Sequence, residues 1–165
     1  MSGLLRNIIA FLVGMLAYAS KTADEVTVTR FWVTPFDGGL RVLKSDKYLQ
    51  LAESAQIDYL MQIGMFFPLL RSGTSFVNVA QLVKFTRPVS IFSRVRVETR
   101  LIYADEKCAY FSHAMHAGDS KAAEVLVKMK FKKGRLTVAP STFLSTAFAA
   151  MPVEVRNWEP ALELL

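Results

Sequence analysis

The sequence predicts an α+β fold in which one long central helix is wrapped by an antiparallel sheet of five or more strands. Three observations carry this. A single well-marked amphipathic helix lies early, over residues 46–63. Everything from residue 74 to 133 reads as strand. Those strands alternate charged and apolar positions, so each covers something on one face only.

Taken in order, residues 25–33 (EVTVTRFWV) alternate and are rich in β-formers, which reads as the first strand. Pro35 ends it, and Phe36-Asp37-Gly38-Gly39 reads as a turn because glycine accepts positive φ without steric cost. Ser45 or Asp46 is expected to cap the helix through a side-chain oxygen. Tyr48, Ala52, Ala55, Tyr59 and Ile63 share one helical stripe, widened by Leu49 and Leu51. Lys47, Gln50, Ser54 and Asp58 lie opposite, and Asp58 is expected to be solvated. Gly64 is placed to end the helix. Residues 65–73 (MFFPLLRSG) read as an apolar loop broken by Pro68.

Four strands follow, at 74–87, 91–104, 109–117 and 121–133, with turns at Asp105-Glu106-Lys107 and Gly118-Asp119-Ser120. Arg94, Arg96, Glu98 and Arg100 alternate with Val95, Val97, Thr99 and Leu101. Lys128, Lys130 and Lys132 alternate with Val127, Met129 and Phe131. Pro140-Ser141 is expected to open a short helix over 142–149, with Ser141 as its cap. The tail with Trp158 and Pro160 is expected to pack on the surface or on a neighbour.

A length of 165 residues implies one domain, here residues 21–165, and 52% hydrophobic residues exclude disorder. Residues 1–20 stand apart. Arg6 precedes an apolar run over 7–19, short of the ~20 residues that cross a bilayer. Three readings stay open for it: a shallow membrane anchor, a secretory signal ending at Ala17-Tyr18-Ala19, and a helix that packs on the domain or a partner. Cys108 is the single cysteine, so no internal disulfide forms, and it reads as a small buried apolar residue. A reducing compartment is permitted, and the expected location is the cytoplasm, peripheral to the membrane if residues 4–19 touch one.

The net charge is +6, spread along the chain. Its densest cluster, Lys128, Lys130, Lys132, Lys133 and Arg135, reads as the wet face of a strand or as a rim for substrate phosphates. No nucleic-acid motif accompanies it, so nucleic acid is not an expected partner. His113 and His116 are three apart on a strand, hence on opposite faces, and cannot form a metal pair. No Gly-x-Ser-x-Gly, phosphate loop or dinucleotide fingerprint is present.

Tyr48-Leu49, Ala52-Glu53, Ala55-Gln56, Asp58 and Gly64 resemble the central-helix pattern of thioesterase-type hotdog proteins. Phe85-Thr86-Arg87-Pro88-Val89 resembles the aromatic-x-Arg-Pro-apolar junction of the same proteins. The resemblance covers about residues 25–135. It implies the hotdog fold, a homo-oligomer (dimer or tetramer) built by edge-to-edge strand pairing, and an acyl-CoA substrate. Coenzyme A would enter only as part of that substrate, with no metal and no other cofactor.

Many such relatives carry Asp-x-Asp, then His-x-Asn-Asn, ahead of the tyrosine. Here Val42-Leu43-Lys44-Ser45 stands where His-x-Asn-Asn would, and Phe36 and Gly38 stand at the acidic positions. Phe36-Asp37-Gly38-Gly39 is similar instead to the 4-hydroxybenzoyl-CoA thioesterase branch, which lacks the histidine and depends on one Asp followed by Gly before the helix. The resemblance therefore implies Asp37 as base or nucleophile, the alternative being a plain turn residue. Glu53, on the helix, is the second candidate, because partial burial would make it a usable base; the alternative is an ordinary helix-edge carboxylate. Ser45, Asp46, Lys47 and Tyr48 surround the helix start, whose N–H groups would polarise a thioester carbonyl. Phe66 and Phe67 would meet the acyl chain. Three functions remain: an acyl-CoA thioesterase-like hydrolase, a non-catalytic acyl- or CoA-binding module, or a membrane-associated interaction protein suggested by the N-terminal apolar run. A membrane surface, met through residues 4–19, is the further candidate partner.

Overall fold

The computed structural model describes residues 3–39, 41–144, 146, 148 and 150–164. Its elements are helix α1 (Gly3–Leu16), strand β1 (Thr27–Trp32), helix α2 (Ser45–Gln62), helix α3 (Phe66–Arg71), strands β2 (Ser75–Phe85), β3 (Arg94–Ala104), β4 (Ala109–Ala117), β5 (Ser120–Lys133) and β6 (Leu136–Val138), and helix α4 (Val153–Leu162). The strands form one antiparallel sheet in the order β1-β3-β4-β5-β2, with β6 added to β5.

The alternation read from the sequence sets which way the sheet faces. Val95, Val97 and Leu101 of β3, Phe111 and Met115 of β4, and Val125, Val127, Met129 and Phe131 of β5 point inward and are buried. They close on Tyr48, Leu51, Ala52, Ala55, Tyr59 and Leu60 of α2 in one core. Each such fully buried Leu, Val or Phe contributes roughly 1.5–3 kcal/mol. His113 is inward with this set, and His116 is on the outer face, as the spacing predicts.

Several local expectations need correction. Residue Lys44 occupies the cap position of α2, and no side chain caps the first turn. Ser45 and Asp46 are inside the helix and exposed. Residues 65–73 are not a plain loop: after Gly64 (φ +73°) breaks α2, the chain starts again as α3. Pro68 is tolerated because it falls in the first turn, where an N–H has no helical partner. The helix expected over 142–149 is a 3-10 turn at Pro140–Thr142 instead, with no side-chain cap; residues 145, 147 and 149 lie outside the described ones. The tail is helical. Val155 and Trp158 of α4 bury Cys108 and Tyr110 on the outer face of the sheet, and Lys128 binds Glu159 at 2.7 Å.

The polar side of α2 is also covered. Helix α1 packs across it at Gly14, where an added Cβ would sit 2.9 Å from Met61 Cβ. Beyond α1, the amides of Ala19 and Lys21 donate to the carbonyls of Met61 and Gln62, both at 3.1 Å. Among the described residues, no helix is long and apolar enough to cross a membrane.

Candidate acyl cleft and its carboxylates

Thr34 to Asp37 close on themselves. The Asp37 amide donates to the Thr34 carbonyl at 2.9 Å, while the Thr34 amide and hydroxyl donate to Asp37 Oδ2 at 3.0 and 2.7 Å. This reciprocal arrangement ties the two ends of the turn together, and Asp37 is completely buried. At Gly38 an added Cβ would lie 2.6 Å from Ile91 Cγ2 and 3.2 Å from the Val42 carbonyl, so a larger residue would have to displace Ile91. The Asp37 carbonyl then accepts from the Lys44 amide at 3.2 Å, which ties the turn to the start of α2. The expected proximity of Asp37 to the helix start is therefore present, with one carboxylate oxygen engaged by Thr34.

The other predicted residues divide. Glu53 is exposed, so within one chain it lacks the burial on which its candidacy rested. Lys47 is half-buried and holds Gln50 at 3.1 Å and Asp46 at 3.5 Å. Tyr48 is a core residue that packs edge-on against Phe85 at 5.0 Å and has its phenol pKa raised by burial. Phe66 lines an apolar cleft of about 300 Å³ with Ile57, Leu69, Leu70, Thr74, Ser75 and Phe76. Phe67 does not line it and packs on Tyr18 at 5.2 Å, while Phe11 meets both rings, Phe66 at 5.4 Å and Phe67 at 6.3 Å.

The cleft and Asp37 do not meet in one chain. Ile57 lies twelve residues into α2, about 18 Å along its axis from the end where Asp37 is tied. Among the described residues, no group of three His, Cys, Asp or Glu stands where it could hold a metal.

The profile of a family described as the thioesterase-like superfamily matches residues 40–158. The chain belongs to the thioesterase-like superfamily. Comparison with curated proteins finds no match. Solved structures share the fold at low identity. A hypothetical protein from Thermus thermophilus superposes with a TM-score of 0.68 at 21% identity, covering 73% of this chain and 94% of its own. A 1,4-dihydroxy-2-naphthoyl-CoA thioesterase from Synechocystis gives 0.59 at 16%, covering 86% and 98%. A hypothetical protein from Staphylococcus aureus in complex with CoA gives 0.65 at 11%, covering 81% and 94%. The hotdog architecture expected from the sequence is thus the observed one.

This thioesterase-like chain buries two polar groups inside the fold, one of them at a position the sequence reads as solvated. Asp58, read as solvated, is 2% exposed. Its Oδ2 accepts from the Thr29 hydroxyl and from Gln62 Nε2 (2.9 Å). Among the described residues its Oδ1 has no hydrogen-bond partner, and it faces Gly14 of α1. Burial raises this carboxyl above its usual range, against the two hydrogen bonds. Lys21 and Arg30 border the adjoining groove between α1 and β1. The signal available was the polar row Ser54, Asp58, Gln62 at four-residue spacing, together with an apolar first helix that needed something to cover.

His113 is the other. Its Nδ1 lies 3.0 Å from the Thr99 hydroxyl, and burial lowers its pKa to about 3, so it is a neutral core residue. On the outer face, Lys128 is taken by Glu159, and Lys132 donates to Thr137 at 3.0 Å and to the Arg135 carbonyl at 3.2 Å. Lys128 and Lys132, two of the five basic residues of this cluster, are therefore engaged within the chain.

Proposed function

We propose that this protein hydrolyses the thioester of an acyl-CoA, with the acyl group in the Phe66 cleft and Asp37 as base or nucleophile. The observation that carries the reading is the apolar cleft itself, which adjoins the start of β2, in a member of the thioesterase-like superfamily. Strand β2 is an open edge with Val77, Val79, Leu82 and Phe85 exposed, and proteins rarely leave such an edge unpaired. Pairing β2 with its copy about a two-fold axis runs the two α2 helices in opposite directions. That brings the Asp37 end of one chain toward the Phe66 end of the other. The uncapped first turn of α2, at Ser45, Asp46 and Lys47, would then polarise the thioester carbonyl, and coenzyme A would leave as the thiol. The working unit is a dimer or a dimer of dimers in the cytoplasm, and no further cofactor takes part.

The test is a hydrolysis screen over acyl-CoA chain lengths. Asp37→Asn is expected to lower turnover at least ~100-fold, the lower range for loss of a general base. Glu53→Gln is expected to leave it near the starting value. If Glu53→Gln abolishes turnover and Asp37→Asn does not, the base is on the helix. A second reading is favoured by the Thr34 hold on Asp37: an acyl- or CoA-binding module without turnover. Calorimetric binding of acyl-CoA with no thiol released over hours would select it.

A further inference from the structure

Among the described side chains of helix α1, one apolar face packs on the domain and another is exposed. Phe11 meets Phe66 at 5.4 Å and Phe67 at 6.3 Å, Gly14 lies against Met61, and the Tyr18 hydroxyl donates to the Gly64 carbonyl at 2.9 Å. These contacts fix the helix on α2 and α3 and decide which side is left outside. On that side Ile8, Ile9, Leu12, Met15 and Leu16 are between 45% and 91% exposed. Positions 8, 12, 15 and 16 fall on one stripe of a helix. Leu70 of α3, 59% exposed, adds to the same apolar character beside Phe67. Scattered exposed apolar residues need no cause, but a contiguous row of them does.

We propose that this face docks the protein flat on the surface of an anionic lipid bilayer. Charge selects the occupant. The sequences of α1 and α3 contain two arginines, Arg6 and Arg71, and no acidic residue, in a chain of net charge +6. That is the complement of an anionic headgroup layer, in which basic residues beside an apolar face add to partition. At 14 residues, about 21 Å, α1 is too short to span the hydrocarbon, but it is long enough to lie along its surface. A surface-lying helix needs a wet side, and here the folded domain supplies it. Leu70 also lines the acyl cleft, so a docked protein would hold the cleft mouth at the lipid. Only this last consequence, a substrate whose acyl chain partitions into the bilayer, rests on the proposed function; the docking does not.

The full chain is floated with vesicles of phosphatidylcholine alone and with one-third phosphatidylglycerol. Binding is expected on the anionic vesicles and at least ten-fold less on the neutral ones. The double variant Leu12→Asn/Leu16→Asn alters two exposed side chains and is expected to keep its thermal midpoint while losing at least ten-fold in partition. Because Cys108 is buried, Leu16→Cys gives one reactive thiol for an environment-sensitive dye, whose emission is expected to shift to the blue on anionic vesicles. The proposal falls if the unsubstituted chain stays unbound, if the double variant floats as well, or if the dye stays wet while the protein floats. It falls too if the double variant reduces the oligomer size without lipid, which would assign the face to a second copy. Hydrolysis of a short, soluble acyl-CoA is expected to be unchanged by the double variant, so loss of docking and loss of the enzyme reading are separable.

Discussion

Two aspartates are buried, one ahead of the long helix and one within it, and they were buried by different means. Asp37 is closed in by residues one turn away: Thr34 gives it two hydrogen bonds, and the chain returns over it at Lys44. Asp58 is closed in by Thr29 of β1 and by α1, whose Gly14 is 44 residues distant in sequence. The neighbours of Asp37 in sequence place it in a turn. Asp58 reads from its own neighbours as a solvated helix residue, because nothing near it in sequence announces a cover. Local hydrogen bonding leaves a motif in the chain, whereas tertiary cover does not.

The largest effect should come from cutting the local hold. Asp37→Ala removes the acceptor from the half-buried Thr34 amide and hydroxyl and is expected to cost about 2 kcal/mol in chemical denaturation. Asp37→Asn keeps an acceptor oxygen and should cost well under half of that. Equal costs would mean that the carboxylate does not organise the turn. Next comes the tertiary cover. Gly14→Val places side-chain atoms where a Cβ alone is already 2.9 Å from Met61 and Asp58. We expect a loss of about 1–2 kcal/mol, read as faster protease cleavage between residues 17 and 24 with the sheet intact. Unchanged cleavage would separate α1 from the burial of Asp58.

The third effect is smaller and opposite in sign. Because the folded-state pKa of Asp58 is raised above 3.8, the folded protein holds its proton more tightly than the unfolded chain. Stability is therefore full below that value, declines as pH rises through the folded pKa, and stays lowered at neutral pH. Asp58→Asn should remove this decline and raise stability at pH 7 by on the order of 1 kcal/mol. A variant less stable than the starting protein at pH 7 would show that the Thr29 and Gln62 bonds outweigh the burial of charge. The smallest effect is at Glu53, which is exposed: Glu53→Gln should move stability by less than about 0.5 kcal/mol.

Much of the fold was legible because each element states its own period. The β4 strand appears at the residues where its alternation and its two turns put it, and α2 differs from the expected helix by one residue at each end. The errors fall where context decides. Pro68 has the character of a helix breaker, but a proline in a first turn breaks nothing. The run containing Trp158 and Pro160 is expected only to pack on the surface or a neighbour; it is a helix whose Val155, Trp158 and Leu162 share one stripe against the apolar patch around Tyr110. Of the candidate site, Phe66 lines the cleft, whereas Phe67 and Tyr48 went to α1 and to the core. An aromatic side chain's partner is set by the packing around it, and the spacing of residues does not reveal that packing.

By itself, the sequence determined the α+β class, the hotdog order of helix and strands, the inward and outward faces of the sheet, the turn at Asp37 and the end of α2 at Gly64. These are consequences of periodicity and local backbone chemistry within a few residues. Only the tertiary structure decided which polar residues of α2 would be buried, which face of α1 would be left outside, and that Phe66 and not Phe67 would line the apolar cleft. Those outcomes depend on which surfaces remain apolar after the elements have formed and on which of them can approach closely enough to pack.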